Sequence, residues 1–333
     1  MMNGTEQPNM EIKIQTFPRI HLTLIGMNND GYRINGGIGF SISNPKLSLC
    51  FKESESIEIT DLRTFKFTEF EKEKVISTIK KSINQYEFKK SISCKIEGDV
   101  LPHYGLGSNT SIYLSCLEAL FIVNNYIYSH NTLISASNRG GTSGVGINTY
   151  FNGGFIFDVG IDKQEQILQP SSIADRNGNL PLILNKCDLP NWQIGICIQN
   201  ISNKSEQEEI DFFKSCCPID KSSVEEILYE AVYGITASVL DENYTVFCKA
   251  VNAIQLTKWK SLERFIYGHE LYELENKIKS YGADCVGMSS LGPMLFFMGE
   301  NLEEIMSNIN KEFPTAVCYK SYFNNQGRIV SYD

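Results

Sequence analysis

Three short stretches rich in glycine and serine, GLGSNTS (105–111), RGGTSGVG (139–146) and GMSSLGP (287–293), interrupt otherwise apolar segments. The first constrains the fold most. It stands between a strand-like run, SISCKIEGDV (91–100), and a run with helical spacing, expected to be a helix over 110–127. Glycines let a backbone approach an oxyanion closely, and a helix N-terminus offers unpaired N–H donors at the positive end of its dipole. Strand, glycine-rich loop and helix in that order therefore describe an anion cradle. The loop is not the G-x-G-x-x-G dinucleotide fingerprint, and it lacks the lysine of a P-loop. One such loop is an ordinary turn. Three, one in each structural segment, predict a phosphate-holding pocket where two lobes meet.

The rest of the chain supports two lobes. Residues 11–17 and 20–25 read as strands broken at Pro18, and YRINGGIGFSI (32–42) reads as a tight turn entering another strand. Strands continue over 46–60, and 69–87 has helical spacing. Periodicity fades from about 161 to 190, where prolines stand at 170, 181 and 190, and the boundary between lobes is placed there. The second half reads as strand (192–201), helices (222–257), helix (269–281), strand, Gly/Ser loop, strand, helix (301–312) and strand (314–320). That mixture suits an α+β lobe of ferredoxin-like type. A net charge of −9 argues against a nucleic-acid surface, which needs a basic face, so any anionic partner should be small. The ten cysteines are scattered without a C-x-x-C pair and are expected to be reduced thiols. The first ten residues are polar and no apolar run approaches the ~18 residues of a membrane span, so a cytoplasmic protein without membrane partners is expected.

RIHLTLIGMNNDGYRINGGIGFSI (19–42), HYGLGSNTS, RGGTSGVGINTYFNGGFIFDVG, LPNWQIGICI, EEIDFFKSCCPI (208–219), AVNAIQ and GADCVGMSSLGP are collinear and cover nearly the whole chain. Together they resemble the GHMP small-molecule kinase superfamily and, within it, the β-ribofuranosylaminobenzene 5′-phosphate synthases. The resemblance implies an α+β, two-lobed GHMP kinase-like fold, with an S5-domain-2-like lobe over 1–170 and a ferredoxin-like lobe over 171–333. It also implies a decarboxylative phosphoribosyltransferase. Phosphoribosyl diphosphate would be joined to an aromatic carboxylic acid through a C–C glycosidic bond, with release of carbon dioxide and diphosphate. The acceptor would be 4-aminobenzoate or 4-hydroxybenzoate in a methanopterin-like pathway, or a heteroaromatic acid in a C-nucleoside pathway. Mg²⁺, no ATP and a homodimer belong to the same implication. The competing reading is an ATP-dependent kinase of this superfamily, and a third is a ligand-binding regulator on the same scaffold.

In many kinases of the superfamily the second turn reads Ser-Gly-x-Asp, the Asp serving the acceptor hydroxyl. Aligned on Ser143-Gly144, this chain has Gly146 there. An acceptor that attacks through a ring carbon has no hydroxyl proton to lose, so no base is needed. Diphosphate departure calls for N–H donors and cations. The resemblance assigns this to Gly105, Gly107, Ser108, Asn109, Thr110 and Ser111, and to Arg139, Gly140, Gly141, Thr142, Ser143 and Gly144. Asn109 and Ser111 depart from the family's GLGSGTQ. Arg19, His21 and Arg33 are candidates to grip the acceptor carboxylate, a task suited to a guanidinium fork. Arg19 also reads as a surface residue before a strand, and His21 as a core histidine. Ser289 and Ser290 are candidates for the acceptor or the 5-phosphate, and Leu291 stands where many members have an aromatic residue. Asp158 is a weak candidate for Mg²⁺ or for the ribose hydroxyls, and Asp30 is a weak metal candidate that is most simply a turn residue. His103 reads as either a pocket-mouth or a solvent-facing residue, and Glu209 stands out within EQEE by its family position.

Overall fold

The structure, a computed structural model, describes residues 10–333 except 164–167, 172, 174–179, 200 and 203. Strands β1 (Ile12–Thr16) and β2 (Arg19–Gly26) are separated at Pro18, which has no N–H to give a ladder. β1 alternates buried with half-buried residues, whereas β2 and β3 (Arg33–Ser41) are buried along most of their length. β4 (Leu47–Ser54) and β5 (Glu58–Asp61) lead to α1 (Glu69–Gln85), which a Thr68–Glu71 capping box starts. After β6 (Ser91–Gly98) comes α2 (Ser108–Val123), a helix buried around its circumference. α3 (His130–Ser137), α4 (Val145–Asn152), β7 (Phe155–Asp158), β8 (Ile161–Asp162) and β9 (Ile183–Cys187) follow.

The second half begins with β10 (Gln193–Ile198), α5 (Glu206–Cys216) and α6 (Lys221–Tyr229). A π-helical turn (Glu230–Thr236) carries α6 into α7 (Ala237–Leu240), and α8 (Tyr244–Leu256), α9 (Lys258–Phe265) and α10 (Gly268–Ser280) come next. β11 (Cys285–Met288), β12 (Leu295–Met298), α11 (Leu302–Glu312), β13 (Val317–Tyr322) and β14 (Ile329–Tyr332) complete the chain. No helix among the described residues is long and apolar enough to cross a membrane.

Three sheets result, ordered β14-β1-β4-β6-β5, β2-β3-β7-β9 with β8 also on β3, and β11-β12-β10-β13. The last is antiparallel throughout, and its βαββαβ order is the ferredoxin-like arrangement expected from the sequence. α10 and α11 cover one face of it through Leu271, Leu274, Ile278, Ile305 and Ile309. Its other face joins the main core, where Phe40 of β3 meets Phe296 of β12, Phe247 of α8 and Phe323 at centroid distances of 6.1, 6.1 and 4.6 Å. The fold is thus the expected two-lobed α+β type.

The lobes are threaded differently from the 170/171 division. β9 pairs antiparallel with β7, and β14 returns to pair with β1. The chain therefore crosses to the second lobe after Cys187, and its last strand belongs with the first lobe. β9 has no fully buried residue, so it carries no apolar periodicity. Much of the stretch that supplied the expected boundary lies outside the described residues.

Candidate active site

The three glycine loops converge on β2. Arg19 N donates to Leu106 O at 3.1 Å, and Arg19 Nη1 donates to Gly105 O at 2.5 Å. Two residues on, His21 N donates to the Ser289 hydroxyl at 3.0 Å, and that hydroxyl donates to Gly105 O at 2.7 Å. Ser290 N closes the link on His21 O at 2.9 Å. Gly105 has φ +86°, and a Cβ there would lie 2.2 Å from Ser289 O, so any other residue would push the loops apart. Ser289 is fully buried and fastens two loops to β2 rather than facing a ligand.

The RGGTSG turn is held from below by Asp158. Its carboxylate accepts from the Ser143 hydroxyl at 2.8 Å and from the N–H groups of Gly144 and Gly160, each at 3.0 Å. Burial pushes this carboxyl up to about 7, against those hydrogen bonds. Gly36 N binds Thr142 O at 2.9 Å and ties the turn to β3.

Between the loops lies a cavity of about 110 Å³. Arg19, His21, Thr110, Gly140, Thr142, Ser143 and Ser290 line it, together with Gly146. Leu24, Ile147, Phe213 and Leu291 form apolar wall, and Pro170 and Ser171 also contribute. Phe213 brings the aromatic side chain that the sequence comparison placed at 291. The cavity is smaller than the ~300–1,000 Å³ of most small-molecule pockets.

The electrostatics favour an anion at one end. Gly107 caps α2 in a left-handed conformation (φ 76°) without any side-chain cap, leaving the helix's first N–H groups facing the loops. Arg19 stays cationic, although burial and the nearby Arg139 bring it down to about 10. Arg139 Nε reaches Thr110 Oγ1 at 3.4 Å, and its guanidinium lies over the Tyr113 ring. Burial, then Arg19 and Lys260, holds the His21 imidazole well below its usual value, so it is neutral. Among the described residues neither ring nitrogen of His21 has a partner, nor does Arg19 Nε or Asn109 Oδ1. Such buried orphans cost about 1–3 kcal/mol each until something pairs them.

Two acids in the cavity wall come from the second lobe. Glu209 of α5 and Glu263 of α9 both line it. Glu263 is buried, accepting from Trp259 Nε1 at 2.8 Å and Lys260 Nζ at 2.7 Å, and Lys260 also donates to Ser290 O at 3.2 Å. Burial pushes the Lys260 amine down and the Glu263 carboxyl up, and their pairing opposes both shifts. Sequence reasoning missed this pair, because KSLE in a helix looks like a surface i,i+3 pair. The one hint was Trp259 on the same face.

Other expected residues fall elsewhere. Arg33 lies apart from the loops: its Nε donates to Val159 O at 3.0 Å and its Nη2 to Gly160 O at 2.7 Å. It clamps the β7–β8 turn and does not line the cavity. Asp158 also lies outside the cavity lining, its oxygens accepting from Ser143, Gly144 and Gly160. Asp30 is exposed and off the cavity. Ser108 and Ser111 are buried in the first turn of α2, and Gly141 O and Gly144 N are engaged by Asn35 and Asp158. His103 pairs with Glu71, which raises the imidazole and lowers Glu71 to about 2.

No protein-family model matches the chain. Among curated proteins it is similar to the β-ribofuranosylphenol 5′-phosphate synthase of Methanothermobacter thermautotrophicus, with 28% identity over 292 residues, 86% of this chain and 88% of that one. The enzymes of the same name from Archaeoglobus fulgidus (28% over 289 residues, 86% and 87%) and Methanocaldococcus jannaschii (27% over 298 residues, 86% and 89%) match in the same way. Among solved structures, homoserine kinase from Cytophaga hutchinsonii superposes with a TM-score of 0.68 at 15% identity, covering 99% of this chain and all of that one. Mevalonate diphosphate decarboxylase from Staphylococcus aureus gives 0.66 at 13%, covering 97% and 98%. At such identities these structures establish the fold.

Proposed function

Taking as premise that the chain is a relative of the β-ribofuranosylphenol 5′-phosphate synthases on a GHMP-kinase fold, we propose that it is a C-ribosyl synthase. Its donor is phosphoribosyl diphosphate and its acceptor a benzoate with a para hydroxyl or amino group. The C1–O bond to diphosphate breaks and a C–C bond forms to the ring carbon that carries the carboxylate. The carboxylate's C–C bond then breaks, returning its electron pair to the ring, and carbon dioxide leaves. No acceptor proton has to be removed before the new bond forms.

One observation carries this reading. Gly146 stands where a kinase of this fold would place its aspartate, and it opens onto Arg19 and Thr110, an ideal Cβ lying 3.8 Å from each. The site keeps a cationic, N–H-rich end, and Gly146 itself contributes no acid to it. Arg19, Arg139 and the start of α2 suit the departing diphosphate, whose developing charge they would stabilise more as the bond breaks. Leu24, Ile147, Phe213 and Leu291 offer the flat apolar surface a benzoate ring needs. Neutral His21, with two free nitrogens, suits a polar ring substituent, since it can donate or accept.

A resident metal does not fit. Asp158 and Asp30 are not available to the cavity, and among the described residues no group of three or more His, Cys, Asp or Glu is placed to hold an ion. The Mg²⁺ implied by resemblance is therefore proposed to arrive as the donor's diphosphate complex. A cytoplasmic homodimer is the proposed setting.

The test is incubation with phosphoribosyl diphosphate, Mg²⁺ and carboxyl-labelled 4-hydroxybenzoate or 4-aminobenzoate. Labelled carbon dioxide and diphosphate should appear together without ATP. ADP formation from ATP with a small alcohol, and no carbon dioxide from any aromatic acid, would overturn the reading in favour of a kinase.

A further inference from the structure

Glu209 is at odds with a pocket for two anions. Three acids occupy the first turn of α5, and two have surface tasks: Glu206 accepts from Lys74 Nζ at 2.6 Å, and Glu208 caps the helix on Ser205 N at 2.8 Å. Glu209 turns inward and lines the cavity opposite the glycine loops. Its carboxylate forms no hydrogen bond among the described residues; Arg139 and His103 act on it only through their charge, as do Glu206 and Glu263. A free carboxylate there repels diphosphate and benzoate alike, so its ligand must be a cation or an O–H or N–H donor. The other carboxylate in the cavity wall, Glu263, is already taken by Trp259 and Lys260, and no group of three or more such ligands is placed to hold an ion among the described residues. On the donor side of the reaction, the groups that offer adjacent hydrogen-bond donors without negative charge are the ribose 2- and 3-hydroxyls. Two carboxylate oxygens accept from two neighbouring hydroxyls, and such charge-assisted bonds are about twice as strong as neutral ones.

We infer that Glu209 holds the vicinal hydroxyls of the donor's ribose and thereby selects a ribosyl over a deoxyribosyl donor. The inference rests on the donor named above. It makes α5 a second-lobe wall that orients the sugar, while first-lobe loops hold the phosphates. Anomeric carbon and ring carbon are then aligned from opposite sides of the cavity.

The test measures binding of phosphoribosyl diphosphate, ribose 5-phosphate, 2-deoxyribose 5-phosphate and inorganic diphosphate to the wild type, E209A and E209Q, with Mg²⁺ present. E209A should weaken both ribosyl ligands by about 10- to 100-fold, the size of one hydrogen bond to a charged group. It should leave inorganic diphosphate unchanged and abolish the wild-type preference for ribose over deoxyribose. E209Q should fall between, because an amide oxygen still accepts. If E209A melts early, E209Q carries the comparison. An equal loss of diphosphate affinity in a folded variant would make Glu209 part of an anion or cation site and overturn the inference, as would a ribose preference that survives in E209A. A wild type that binds no phosphoribosyl diphosphate overturns the donor assignment and the inference together, and that result is read before any variant is compared.

Discussion

Arg19 and Arg33 lie 14 residues apart on paired strands, yet only one faces the cavity. Arg19 lines it, with Nε unpartnered. Arg33 has its guanidinium on two backbone carbonyls of the β7–β8 turn. R19Q gives up its hydrogen bond to Gly105 O, so it should lower the melting temperature somewhat, and it should lose about 100-fold or more in kcat/KM, the scale of one lost anion-stabilising group. R33Q should lower stability by about 1–2 kcal/mol, the usual loss for hydrogen bonds from a charged donor, and change turnover far less. Denaturant titration beside steady-state kinetics separates the two. G146D probes the same end of the cavity. Its Cβ has room, and an acid in the first turn of α4 agrees with the helix dipole, so the variant should fold. The new carboxylate would occupy Arg19 and repel the acceptor. Carbon dioxide release should drop at least about tenfold, the loss of roughly 1.4 kcal/mol of transition-state stabilisation, without any ADP from ATP. Glu209 supplies a pH limb. Burial pushes its carboxyl up to about 7; Glu206 of α5 and Glu263 of α9 push the same way, while His103 and Arg139 pull it down. Only the ionised form accepts two hydroxyls. Donor affinity should accordingly rise with pH through about 7, and E209Q should flatten that limb in a pH series of binding constants.

α9 shows how an element can serve the site from beneath. It buries Trp259, Lys260 and Glu263 together, and Lys260 also holds Ser290 O beside the cavity. Ser290 has φ 54°, a conformation few non-glycine residues adopt without support. K260M would leave Glu263 charged and half-paired in the interior and should cost about 3–5 kcal/mol, whereas K260M/E263L should recover much of that. Chemical denaturation of both variants and the wild type reads the difference. The sequence made some elements plain and hid others, for physical reasons. β2, α2 and the ferredoxin-like lobe announce themselves through long apolar runs and glycine punctuation. α9 is hidden because its inward residues are charged, β9 because it is a half-exposed edge strand, and β14 because its partner β1 lies more than 300 residues away in sequence. At the site, the three loops were legible from residue type, and Arg19 only as one of three candidates in a family segment. The inward turn of Glu209 was marked only by family position, and that of Glu263 only by Trp259 on the same helix face.

At the scale of the molecule, the two lobes are not separable bodies. Phe40, Phe247, Phe296 and Phe323 place residues from both in one aromatic cluster, and β14 brings the end of the chain back to the first lobe. Arg328, just before β14, reaches Glu118 in the middle of α2. Glu118 is fully buried, and it also accepts from Tyr150 Oη at 2.7 Å and Tyr128 Oη at 3.1 Å. With the bodies joined this way, widening the cavity of about 110 Å³ for the proposed substrates would fall to its loops, because a hinge between lobes would tear the shared core. Calorimetry of the full chain should therefore show one cooperative transition rather than two, raised in temperature by phosphoribosyl diphosphate through its preference for the folded state. Deleting residues 328–333 tests the same unity from its far end. It strips β14 from β1 and the guanidinium from Glu118, leaving a buried carboxylate with tyrosine hydroxyls alone. The loss of that partner by itself should cost about 3–5 kcal/mol. The truncated chain should melt well below the intact one, still in one step, and E118Q placed in it should raise the melting temperature while lowering that of the full-length protein. Opposite signs for one substitution in two backgrounds are what a buried acid answered by a returning arginine requires; a lowering in both would assign Glu118 to its tyrosines alone.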